Sequence, residues 1–298
     1  MSPRLLAASL VIGASALGAQ PHRYAPLVAQ LPPSIRALGM GGAWTAGRDP
    51  DAIFFNPAVA ATQNGTNFGA GRFASASTLA HAAWSMSFGS NGIALGGAWL
   101  DYGAAPAAPL SWRALGVRGV DAGLSALAAA AGSLTYKGIK WGAAAKYVGE
   151  RQGNDRGGTA AFDLGAAKDV ASVTVGLSVQ NLGPSFDVAG ESTQLPTRVA
   201  AGVSGYGLRV GPLDFGASLG ASVRRDGFIA GAGGVEFGWI PLDGYLVVLR
   251  GGLRRSEARS LNPATLGASF GMDRFTLDYA FEDVRGGGGA HHLGIRVR

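Results

Sequence analysis

An alternation of apolar and small or polar residues, with period two, returns along this chain from residue 66 to its end, and it leaves few folds open. In a strand, successive side chains point to opposite faces, so period two means one apolar face and one face of different character. Phe275, Leu277, Tyr279 and Phe281 alternate with Thr276, Asp278, Ala280 and Glu282. Leu213, Phe215, Ala217, Leu219, Ala221 and Val223 stand in the same way against Asp214, Gly216, Ser218, Gly220, Ser222 and Arg224. Ile139, Trp141, Ala143, Ala145 and Tyr147 oppose Lys140, Gly142, Ala144 and Lys146. Val173, Val175, Leu177 and Val179 oppose Ser172, Thr174, Gly176, Ser178 and Gln180.

Extended over the chain, the pattern predicts strands near 66–74, 81–89, 93–102, 124–136, 139–149, 159–168 and 172–181, then 197–206, 212–225, 228–239, 244–255, 264–271, 274–282 and 290–298. That is fourteen, an even number. The Ala-rich stretch 124–131 is open to either strand or helix. Short turns of hairpin residues follow every second strand: Ser90-Asn91-Gly92, Lys137-Gly138, Asp169–Ala171, Gly211-Pro212, Pro241–Gly244 and Met272-Asp273. The links between them are mostly longer, notably Gly103–Gly123 and Gly183–Pro196. Short turns at one end and long loops at the other are the layout of a bacterial outer-membrane barrel. Strands of about ten residues tilted about 45° match the hydrocarbon thickness. A soluble β-sandwich or propeller also alternates, but its strands run about five or six residues and its turns do not segregate by length. The fold expected is therefore an all-β transmembrane antiparallel barrel of about fourteen strands.

Lipid explains why closure is required. Every backbone N–H and C=O must be paired within the protein there, so a sheet spans only when it has no edge. Outward residues are apolar, and inward ones are free to be Gly, Ser, Asp, Arg or Gln. Gly makes up 49 of 298 residues, far above the ~7% usual in soluble domains, and it falls largely on the second face. That leaves lumen space, or lets a plug approach the wall. Trp84, Trp99, Trp141, Trp239, Tyr136, Tyr147, Tyr245 and Tyr279 fall within or near strand ends, as an interfacial girdle requires.

Residues 1–19 read as a secretory signal peptide: Arg4 gives the charged n-region, Leu5–Leu17 the apolar core, and Gly18-Ala19 a cleavage site before Gln20. Residues 66–298 are the expected barrel and 20–65 a separate N-terminal hatch, because this segment does not alternate. It holds Gly39-Met40-Gly41-Gly42, then Asp49 or Asp51 as caps for a helical turn over Ala52–Phe55, which Asn56-Pro57 ends. A compact, apolar, turn-rich segment ahead of a wide barrel reads as a plug inside the lumen.

The spacing Arg36-x-x-Gly39-Met40-Gly41-Gly42-Ala43-Trp44, followed by Asp49-x-x-Ala52-x-x-x-Asn56-Pro57-Ala58, resembles the N-terminal signature of the PorV/PorQ family, within the wider FadL-like group of outer-membrane proteins. Val179-Gln180-Asn181-Leu182-Gly183, Leu195-Pro196-Thr197-Arg198, and Leu277-Asp278-Tyr279-Ala280 through His292-Leu293-Gly294 extend the resemblance over the chain after the leader. It implies a fourteen-stranded barrel with a hatch built around the Asn-Pro-Ala turn. Val59 stands where the family usually has Gly, and Arg296-Val297-Arg298 lacks a terminal aromatic.

Chemistry at an active site is not expected. Gly216–Gly220 around Ser218 and Gly267–Gly271 around Ser269 match G-x-S-x-G, but both fall inside strands, not on a strand-to-helix elbow. His291 and His292 are adjacent and point to opposite faces. No H-E-x-x-H, P-loop or complete G-x-G-x-x-G motif occurs and there is no Cys, so neither metal nor cofactor is expected. The net charge of +6 is spread singly, which argues against a nucleic-acid partner. Parity assigns Lys140, Lys146, Asp163, Gln180, Arg198, Asp214, Arg224, Arg250, Asp278, Glu282 and Arg296 to the lumen, where they pair with one another, hold a plug or select a solute. Arg36, Asp49 or Asn56 of the hatch is expected to bond to this wall. The partners expected are outer-membrane lipid and either secreted cargo proteins or a hydrophobic ligand. The resemblance implies an accessory role in type IX-like protein secretion. The alternatives are FadL-like passage of hydrophobic small molecules such as fatty acids, and a structural scaffold.

Overall fold

The computed structural model describes residues 26–31, 33–73, 77–104, 122–255, 261–284 and 288–298. The expected signal peptide lies outside the described residues, as does most of the 103–123 link. Fourteen antiparallel strands form one closed barrel: β1 Gly65–Phe73, β2 Ser77–Phe88, β3 Asn91–Ala104, β4 Ala122–Tyr136, β5 Ile139–Gln152, β6 Asp155–Val170, β7 Val173–Leu182, β10 Arg198–Val210, β11 Leu213–Arg224, β12 Ile229–Trp239, β13 Tyr245–Arg254, β14 Leu261–Met272, β15 Phe275–Val284 and β16 Gly288–Val297. Closure is made by β1, which pairs with β2 on one side and with β16 on the other, from Thr66↔Val297 to Phe73↔Ala290. Two short strands, β8 Phe186–Val188 and β9 Glu191–Thr193, form a hairpin in the link between β7 and β10.

Every strand read from the alternation is present, and the Ala-rich stretch is strand β4. One connection differs. The β5–β6 link is the two-residue turn Gly153-Asn154, not a long loop, so β5 and β6 run farther than expected. Gly149, Gly153, Gly157 and Gly158 carry no apolar signal there, which hides the pairing from a periodicity argument. The β8–β9 hairpin and a bulge in β10 between Gly205 and Leu208 were also not foreseen.

The two faces separate as period two requires. Leu219 is 68% exposed, Leu253 65% and Leu249 61%, and such residues recur on every side of the cylinder. Soluble monomers rarely expose apolar patches beyond a few hundred Å². This exterior is that of a sheet standing in hydrocarbon. All eight aromatics of the expected girdle have outward parity: Trp99, Trp141, Trp239, Tyr136, Tyr147 and Tyr245 are exposed, Trp84 and Tyr279 half-buried. Mid-strand charges such as Lys146, Asp163, Glu236, Arg250 and Asp278 are buried instead on the inner face. Placed outward at mid-membrane, a basic one would cost about 2–4 kcal/mol.

Candidate functional site

Residues of the N-terminal segment pack against the inner face of the barrel wall. Helix α1, Ile35–Gly39, starts at Ser34, whose hydroxyl accepts from the Ala37 N–H at 3.3 Å. Gly41 (φ +70°) and Gly42 (φ +83°) then turn the chain toward Trp44, which is fully buried. Gly41 lies so close to the wall that a Cβ there would sit 2.6 Å from the Leu253 carbonyl oxygen, so neither its φ nor its space admits a side chain. A 3-10 turn follows at Pro50–Phe54. Asp49 occupies its N-cap position without making the expected cap bond; its carboxylate accepts from Trp44 Nε1 at 3.0 Å. The Asn56-Pro57-Ala58 turn is closed by Asn56 Oδ1, which accepts from the Ala58 N–H at 3.0 Å. The Asn56 amide also donates to the Thr45 carbonyl at 2.8 Å and the Ala166 carbonyl of β6 at 3.3 Å.

Small inward residues let this segment reach the wall. Gly142, Gly165, Gly176, Gly234 and Gly267 face Ala58, Asn56, Thr45, Met40 and Gly39 respectively, on five different strands. A Cβ at Gly234 would lie 2.6 Å from Met40 Cα. Wall side chains satisfy the segment's exposed backbone groups. Ser178 Oγ (2.9 Å) and the Gln180 amide donate to the Phe55 carbonyl, Ser218 Oγ to the Ala43 carbonyl, and Thr265 Oγ1 accepts from the Gly41 N–H at 3.2 Å.

Charged groups fasten the same contact. Arg36 Nη2 meets Glu236 Oε1 at 2.6 Å, and its guanidinium carbon lies 5.0 Å from the ring centres of both Trp44 and Tyr206. Glu236 Oε2 accepts from Arg250 Nε at 2.9 Å, and Arg250 reaches Ser269 Oγ at 2.5 Å and Asp278 Oδ1 at 3.3 Å. Arg296 Nε closes the row on Asp278 Oδ2 at 2.5 Å. Of the three hatch residues expected to reach the wall, Arg36 and Asn56 do so, while the hydrogen bond of Asp49 stays within the segment.

The other residues placed inward by parity fall into smaller groups. Lys146 pairs with Asp163 and also donates to Asn181 Oδ1 at 3.3 Å. Arg198 Nε donates to Gln180 Oε1 at 2.7 Å. Near the short-turn rim, Lys140 and Arg48 share Asp169, at 2.8 and 2.7 Å. Arg224 pairs with Asp226 at 2.6 Å, and Glu282 joins Arg254 and His292 (3.1 Å). Asp214 is half-buried and joins none of these groups. Glu236, Arg254 and His292 were not among the residues assigned to the lumen, although Glu236 has the inward parity of its strand between outward Val235 and Phe237. Ser218 and Ser269 lie mid-strand on β11 and β14, as expected.

Burial pushes the Asp49 carboxyl up to about 6, the neighbouring Asp51 adds to this, and Arg36, the Trp44 N–H and Arg296 oppose it. The folded value lies above the ordinary 3.8, so docking binds a proton that a released segment does not. That contribution is complete below about pH 4 and is lost as pH rises through about 6. Release of the segment is therefore expected to become easier from pH 5 to pH 8, read as faster trypsin cleavage at Arg36 and Arg48. Asp49→Asn, which keeps an oxygen for Trp44, removes that part of the pH response.

Toward the long-loop end the barrel holds a cavity of about 220 Å³, lined in part by Gln30 and Leu31 of the same segment. Leu31, Leu38, Phe73, Leu79, Ala200 and Phe228 supply much of its lining. The charged groups of its lining are Arg198, Arg224, Arg254, Arg255 and Glu282, with His292 and polar Gln30, Thr45, Gln180 and Ser222 beside them.

No protein-family model matches the chain, and no curated protein matches it. Solved structures do. The chain is similar to CymD, described as a monoaromatic hydrocarbon channel, with TM-score 0.53, 10% identity and coverage of 88% of this chain and 95% of that one. It is similar to the Pseudomonas putida toluene transporter TodX, with TM-score 0.54, 8% identity and coverage of 87% and 95%. A Pseudomonas aeruginosa FadL homologue gives TM-score 0.53, 10% identity and coverage of 88% and 97%. What is shared at these identities is the fold alone.

Proposed function

We propose that this protein is a bacterial outer-membrane channel that admits a small hydrophobic molecule and holds it above an N-terminal plug. The mostly apolar cavity between the plug and the long-loop rim carries the reading. An apolar cavity of about 150 Å³ is enough to hold benzene, so about 220 Å³ suits a ligand of one aromatic ring or similar bulk. The hydrocarbon channels with the same fold support this over the secretion role that the PorV/PorQ resemblance implies. Lumen charges then serve mainly to seat the plug, and catalysis has no part.

Ala200→Trp fills the cavity from β10 without touching the charged row. Cells that depend on this protein for toluene entry are expected to lose uptake to the level of cells lacking it, while heat-modifiable mobility on gels stays that of a folded barrel. Uptake at the native rate would contradict the proposal.

A further inference from the structure

Arg151 on β5 and Arg156 on β6 are direct cross-strand partners, and both are exposed. Buried Glu150 on β5 and Asp163 on β6 mark the inward parity, so both arginines face out. Neither makes an ion pair or hydrogen bond among the described residues. Like charges directly opposite on a sheet repel, and among the described residues no anion of the chain pairs with either arginine. In the same cross-strand row the nearest acid, Asp101, stands two strands away from Arg151. At ~4.8 Å per strand that is about 10 Å, close to a Debye length.

Height along the barrel says what lies opposite the pair. Ile139, beside the Lys137-Gly138 turn, begins the outward series Trp141, Ala143, Ala145 and Tyr147, and Arg151 stands above it. Twelve residues at ~3.3 Å, tilted about 45°, rise about 28 Å, slightly more than the ~25 Å apolar band of such barrels. The guanidiniums therefore stand at the phosphate level of the leaflet farther from the short turns. Just below, Trp99 and Tyr147 flank Ala126 and Ala128 on the outer face of β4, where an acyl chain can lie flat on the sheet.

We propose that Arg151 and Arg156 together hold the phosphate of an outer-leaflet lipid. Two guanidiniums side by side match phosphate oxygens with paired N–H donors, a geometry lysine does not offer. Docking of a second copy about a two-fold axis through this patch would bring four arginines together, which disfavours that occupant.

Native mass spectrometry of the detergent-solubilised protein, titrated with phosphorylated lipid A and with its dephosphorylated form, tests the site. The native chain is expected to retain the phosphorylated lipid selectively, with inorganic phosphate at equal concentration failing to displace it. Arg151→Gln with Arg156→Gln should weaken retention roughly 30-fold, from about 1 kcal/mol per arginine near a membrane surface. Arg151→Lys with Arg156→Lys, which keeps the charge but loses the paired N–H donors, should keep only part of it, and heat-modifiable mobility verifies folding of each. Equal retention of both lipids, or unchanged retention in the Gln variant, would overturn the proposal. So would displacement by inorganic phosphate, or a lipid-free dimer crosslinked through Ala128→Cys.

Discussion

Glu236→Ala is expected to cost about 3–5 kcal/mol of stability, the usual result of deleting one partner of a buried ion pair. Its carboxylate stands between Arg36 at 2.6 Å and Arg250 at 2.9 Å. Without it Arg250 and Arg296 share Asp278, and Arg36 loses the carboxylate it pairs with. The plug, tied through Arg36, takes most of the damage, so open-channel events should increase together with the loss in urea midpoint. Arg36→Met should cost less, since Glu236 keeps Arg250. The double variant Arg36→Met with Glu236→Ala should cost less than the sum, because the cation left unpaired by one change is removed by the other. Full additivity would mean that the two residues do not interact.

A side chain at Gly234 should act on the plug and leave the wall intact. Its Cβ direction meets the Met40 backbone at 2.6 Å, where nothing flexible can move aside. Overpacking a core typically costs about 1–3 kcal/mol. Here the crowded party is a segment held by a handful of polar bonds, while β12 is held by a ladder on each side. Gly234→Val should therefore expel the segment, raising bilayer conductance severalfold and exposing Arg36 and Arg48 to trypsin. Gly251→Val, on β13, where a Cβ meets open space, is the matched control and should change neither reading. Equal effects of the two would place the cause in the strands, not in the plug.

The barrel was legible because lipid and closure impose one rule on all fourteen strands, and repetition makes a weak pattern readable. Leu277, Tyr279 and Ile295 declare the outer face; Asp278 and Arg296 declare the inner one. Parity says which face a residue takes but not its height along the axis, which register decides. That is why Arg250, Asp278 and Arg296 could each be assigned inward while their single connected row could not be foreseen. The plug was legible as a turn-rich unit that does not alternate, yet its contacts were not. Its bonds run to residues as far away in sequence as Glu236 and Thr265, so local propensity has no access to them. Asp49 shows the same limit: helix-capping chemistry predicts a bond to the following turn, whereas the nearby Trp44 indole takes the carboxylate.

The claim on which the rest depends is that the chain's own N-terminal segment is packed against the inside of a closed transmembrane cylinder. The sequence contains no Cys, so a designed pair has no competitors. Ala43 of the segment and Gly220 on β11 are apposed: a Cβ on Gly220 lies 3.9 Å from the Ala43 Cβ, within the range that disulfides span. With Ala43→Cys and Gly220→Cys installed together, alkylation in intact outer membranes measures whether the two positions meet. The account predicts a disulfide that blocks both thiols until reductant is added, in a barrel of normal heat-modifiable mobility. Two free thiols alkylated independently in a folded barrel would contradict it.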